Sequence, residues 1–95
     1  MDLYAIRRRS NWADADELEI VAAKSSAEGE KMSDDVRWIR SYVVEEDDGR
    51  LGTVCLYEGT SPQAIRQHAD NTGMSADEIT KVADTVVVRE DPVAV

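Results

Sequence analysis

Seven residues carry most of the chemical character of this 95-residue chain: Trp38, Arg40, Tyr42, Cys55, Tyr57, Glu58 and His68. An imidazole suits nickel, copper and zinc, so His68, the single histidine, is the first candidate metal ligand. Standing between Ile65 and Ala69, His68 reads equally as a hydrogen-bonded residue on a half-buried helix face. Arg40 amid aromatic rings could clamp a carboxylate ligand through two parallel hydrogen bonds, or pair with Glu58 or with a partner subunit. Cys55 is either a small packing residue or a nucleophile. Trp38, Tyr42 and Tyr57 would form either a dimer core or the walls of a ligand cage. Trp38, Arg40, Tyr42, Cys55 and Tyr57 are therefore the candidate pocket residues, and His68 the candidate metal ligand. No catalytic residue is assigned, because the sequence holds no G-x-S-x-G, Cys-x-x-Cys, phosphate loop or H-E-x-x-H.

Charge narrows the partners. Asp plus Glu number 20 against 11 Lys plus Arg, a net charge of −9. Such a field repels phosphate backbones, and Arg7-Arg8-Arg9 is too narrow a footprint for nucleic acid; it reads as a solvated strand edge. The run Glu45-Glu46-Asp47-Asp48 is a solvated hairpin tip or a site for a hard cation. No apolar run approaches the ~20 residues that span a bilayer, and no signal-peptide pattern opens the chain. One cysteine excludes an internal disulfide framework and suits a reducing cytoplasm.

The elements that must hold these residues follow from periodicity. Leu3 to Arg8 reads as a first strand with Tyr4, Ile6 and Arg8 on one face, broken by Ser10-Asn11-Trp12. Asp14 or Asp16 caps a helix whose apolar stripe is Leu18, Val21, Ala22 and Met32. Val36 to Val44 alternates as a strand, Asp47-Asp48-Gly49-Arg50 turns the chain, and Thr53 to Tyr57 returns as a third strand. Ser61-Pro62 starts a second helix and Gly73 ends it. Ser75 to Glu78 matches a capping box, implying a short extra turn, and Ile79 to Val88 reads as the last strand. Residues 1–88 are one domain and residues 89–95 a loose tail.

Strand, helix, strand, strand, helix, strand is the order of the α+β ferredoxin-like fold, a four-stranded antiparallel sheet with both helices on one side. Strict alternation puts Ile39, Val43, Val54 and Leu56 beneath the helices. It leaves Trp38, Arg40, Tyr42, Cys55 and Tyr57 on the uncovered side. Rings of ~150–250 Å² each are costly to leave wet, so two copies should pack sheet to sheet as a dimeric α/β barrel enclosing a pocket.

The segments Trp38–Val43, Cys55–Glu58 and Ile65–Gly73, within a similarity covering about Leu3 to Val88, resemble a family of small bacterial ferredoxin-like proteins. That family was first a domain of unknown function and was named for a nickel-binding member. The resemblance implies a dimeric α+β fold and binding of nickel or another divalent transition metal, and it places His68 in the family's second-helix motif. It departs where the nickel-binding member has a histidine after the first strand, since this chain has Arg8-Arg9-Ser10-Asn11. A site here would need carboxylates such as Glu58, or His68 from two subunits. Two functions follow: a cytoplasmic, non-catalytic metal-binding homodimer, or a dimeric barrel that binds or transforms a small organic molecule between its sheets.

Overall fold

Local signals set the helix ends and turns. The Asp14 carboxylate accepts a 3.0 Å hydrogen bond from the Glu17 backbone N–H and caps α1 (Ala15–Lys31), with Asp16 and Glu17 in the first turn. The Ser61 hydroxyl accepts from the Ala64 N–H at 3.1 Å and caps α2 (Pro62–Thr72), with proline in the first turn. Gly73 closes that helix in the left-handed region, φ 75°, and its N–H reaches the Ala69 and Asp70 carbonyls. The computed structural model describes residues 1–92. Its strands are β1 (Asp2–Trp12), β2 (Val36–Glu45), β3 (Leu51–Gly59) and β4 (Glu78–Lys81).

The order β1-α1-β2-β3-α2-β4 and one antiparallel sheet, arranged β2-β3-β1-β4, make the chain an α+β ferredoxin-like domain, as its periodicity predicts. Beneath the helices, Tyr4 and Ile6 of β1 meet Cys55 and Tyr57 of β3, Val36 of β2 and Ile65 of α2. Gly52 lies so close to the Arg8 carbonyl that an added Cβ would stand 2.5 Å from it, so β3 needs glycine there to pass β1.

Face assignment is where the structure departs furthest from simple alternation. Cys55 and Tyr57 lie beneath the helices and Val54 and Leu56 point outward, the reverse of the expectation. The cause is pairing: Thr53, Cys55 and Tyr57 stand opposite Arg8, Ile6 and Tyr4, the buried side of β1. In β2 a bulge at Ile39 shifts the register between Trp38 and Arg40 and inverts the parity midway. Trp38 therefore shares the helix side with Tyr57, and after the bulge Ser41 and Val43 do so too. Arg40 and Tyr42 go to the open side. Of the three rings expected there, only Tyr42 is present.

Three further differences have tertiary causes. β1 does not stop at Ser10; a register shift centred on Ser10 (φ 51°) lets it run on and returns Trp12 to the buried face opposite Leu51. β4 covers four residues rather than running to Val88, because its partner β1 runs out: Lys81 already faces Tyr4, and Val82 makes one last bond to Leu3. Val86, Val87 and Val88 are left exposed. Ser75 to Glu78 forms no extra helical turn, since the Ser75 carbonyl accepts from Arg8 and its hydroxyl from Asn11. Part of the expected tail is engaged, Asp91 accepting hydrogen bonds from both Arg40 and Tyr42; residues 93–95 of that tail lie outside the described residues.

Candidate functional site

α1 and the sheet enclose a cavity of about 420 Å³. Leu18, Val21 and Ala22, the apolar stripe of α1, face it and stay only half-buried for that reason. Trp12 and Trp38 supply aromatic walls, and the floor is Arg8 of β1 with Thr53, Cys55 and Tyr57 of β3. The volume lies within the ~300–1,000 Å³ of small-molecule sites, and apolar walls with a few polar groups are their usual lining.

Most of the polar groups around the floor are held from behind, two atoms excepted. Trp38 stacks on Tyr57 with ring centroids 6.0 Å apart and donates its indole N–H to the Ser41 hydroxyl at 2.8 Å. Ser41 in turn donates to the Cys55 sulfur at 3.0 Å. The Tyr57 hydroxyl shares a 2.9 Å hydrogen bond with Ser25 of α1. Arg8, only 2% exposed, donates Nε to the Ser75 carbonyl at 2.7 Å and Nη1 to Cys55 Sγ at 3.5 Å. Arg8 Nη2 and Thr53 Oγ1 are buried and have no hydrogen-bond partner among the described residues.

Burial pushes the Tyr57 phenol above the usual tyrosine range, outweighing the hydrogen bond from Ser25, which acts the other way. The folded state thus holds this proton more tightly than the unfolded chain does. Its contribution to stability is complete below the unfolded value of about pH 10 and is lost as pH rises through the folded value. Denaturation midpoints should therefore fall more steeply above about pH 10 for the wild type than for Tyr57→Phe. Parallel profiles for the two proteins would remove this assignment.

The structure gathers Trp38, Cys55 and Tyr57 into the cavity as expected, but under α1 rather than on the uncovered sheet face. Arg40 borders the cavity, while its guanidinium turns outward to Tyr42 (3.2 Å) and Asp91 (2.8 Å). Tyr42 does not line it. Arg8, Thr53, Ser25 and Trp12 complete the site and were not singled out for it. Arg8 had a visible signal, sharing the buried parity of Tyr4 and Ile6. Thr53 had none, because its importance comes from standing opposite Arg8.

The profile of the nickel-responsive protein SCO4226-like family matches residues 4–82. The chain belongs to this family. The crystal structure of SCO4226 from Streptomyces coelicolor A3(2) matches with a TM-score of 0.70 at 21% identity, over 88% of this chain and 99% of that one. At that identity the likeness carries the fold alone. No curated protein matches the chain. No helix among the described residues is long and apolar enough to cross a membrane.

Membership of a nickel-responsive family directs attention to the two candidate ligands, and they do not come together. His68 is packed between the helices, 1% exposed, its ring 5.3 Å from that of Tyr57. Its Nε2 lies 3.0 Å from the Ser25 carbonyl, an acceptor, so that nitrogen carries the proton and is not free to bind a metal. Glu58 pairs with Leu3 and Arg37 on the opposite face of the sheet. The acidic hairpin is also committed in part, Glu46 bonding Arg7 and the Ser10 N–H. No cluster of three or more His, Cys, Asp or Glu side chains able to hold a metal occurs among the described residues. Among the described residues, the donors of one chain do not gather into a nickel site.

Proposed function

We propose that this member of the nickel-responsive family is a binding protein without turnover of its own, and that it holds a small organic molecule between α1 and the sheet. The observation that carries this reading is the cavity of about 420 Å³ walled by Trp12, Trp38 and the apolar stripe of α1. The site has a thiol but no base beside it: Cys55 Sγ accepts from Ser41 and Arg8, and His68 lies beyond Tyr57. A single, free, buried cysteine suits a cytoplasmic setting. The neutral probe N-phenyl-1-naphthylamine should quench tryptophan fluorescence saturably in the wild type. Ala22→Phe, which fills the cavity from α1, should abolish that quenching while keeping the same far-ultraviolet spectrum. Equal quenching in both proteins would sink the reading.

Family membership favours a second reading, in which a homodimer binds a transition metal with donors from two copies. The open sheet face, where Leu3, Ala5, Val54 and Leu56 stand half-buried, would be its contact. Glu58 lies on that face and could meet its counterpart there, whereas His68 is buried between the helices away from that face and has only its Nδ1 to offer. Nickel calorimetry and light scattering on wild type, Glu58→Gln and His68→Ala decide it. Nickel heats lost in a variant together with a two-fold mass support the reading; a 10.5 kDa monomer giving no nickel heat removes it.

A further inference from the structure

The arginine triplet divides in a telling way. Arg7 and Arg9 each pair with a carboxylate, Glu46 and Glu78. Arg8, between them, points inward and forms no ion pair among the described residues; its partners are a carbonyl and a thiol sulfur. A guanidinium stays protonated at any ordinary pH, and a buried charge without a counter-ion is costly. Arg8 Nη2 and Thr53 Oγ1 are the only buried side-chain polar atoms without a hydrogen-bond partner among the described residues, and both residues line the same cavity. They are also direct partners across the β1–β3 ladder. Side chains so paired stand about 4.5–5.5 Å apart at Cβ, close enough to address two oxygens of one group.

We infer that the ligand is a monocarboxylate with an apolar body, its carboxylate held by the Arg8 guanidinium and the Thr53 hydroxyl. This rests on the pocket reading above and names the class of molecule it takes. One cation and one hydroxyl match a single negative charge shared by two oxygens. A phosphate dianion would bring a second charge with no second cation in the site, into a chain of net charge −9. Trp12, Trp38, Leu18 and Val21 give the apolar body its contacts.

Calorimetry with the full chain tests this, using phenylacetate, 4-phenylbutyrate and octanoate, each against its own amide, and phenyl phosphate. At least one acid should bind ten-fold or more tighter than its amide. That preference should vanish in Arg8→Met and shrink in Thr53→Val. Should Arg8→Met not fold, Thr53→Val and the wild-type acid-to-amide ratios still decide the matter. Acid and amide binding equally in the wild type overturns the carboxylate assignment and leaves the pocket standing. Tighter binding of phenyl phosphate overturns it in favour of phosphate. No binding by any probe overturns both the assignment and the pocket reading.

Discussion

Tyr57→Ala is expected to lose about 3–5 kcal/mol of stability, the range for truncating a large buried ring. Small domains are stable by only about 5–15 kcal/mol, so much of the population would unfold. The reason is position. Tyr57 is 1% exposed and joins the layers of the domain at one point: its ring meets Trp38 of β2 and His68 of α2, and its hydroxyl meets Ser25 of α1. Removing it opens the floor of the cavity as well as the core. Tyr57→Phe keeps the ring and should cost about 1–3 kcal/mol, mostly from leaving the Ser25 hydroxyl buried without its partner. Urea denaturation at constant slope measures both. A loss below about 1 kcal/mol for Tyr57→Ala would mean that the ring does not anchor these contacts.

Arg8→Met should act in the opposite direction. Removing a buried charge removes its desolvation cost, and Arg8 has no counter-ion that its loss would leave unpaired. The ligand-free variant should therefore melt at or above the wild-type temperature. A bound carboxylate should raise the wild-type Tm more than the variant's, since a ligand stabilises the folded state in proportion to how tightly it binds there. If Arg8→Met instead melts well below the wild type without ligand, the bonds to Ser75 and Cys55 are structural supports. The wild-type acid-to-amide ratios and Thr53→Val would then decide whether Arg8 also holds a ligand.

The candidate site was legible in part. Trp38, Cys55 and Tyr57 stood out as aromatic and thiol side chains on paired strands, and they do meet in one cavity. The side of the sheet was misread, because the face of β3 is set by its pairing with β1, which buries Cys55 and Tyr57, and Trp38 stands opposite Tyr57 ahead of the bulge at Ile39. Cys55, Tyr57 and Trp38 therefore line a cavity beneath α1 rather than the open sheet face, while Tyr42 stays on the open face and its hydroxyl donates to Asp91. His68 was correctly seen on the inner face of α2 with Ile65 and Ala69. Its bond to the Ser25 carbonyl, which commits Nε2, depends on how α1 crosses α2 and has no local signature.

By itself, the sequence determined the succession of elements, the caps at Asp14 and Ser61, the stop at Gly73 and the hairpin at Gly49. Each of these is decided by groups within a few residues of one another. Tertiary structure decided which face of β3 is buried, where β4 ends, and that Arg8 stands beside Thr53 in a cavity without a carboxylate. Those outcomes depend on which strand pairs with which, and at what register. That choice is made between residues far apart in the chain, by the burial that the whole sheet achieves together.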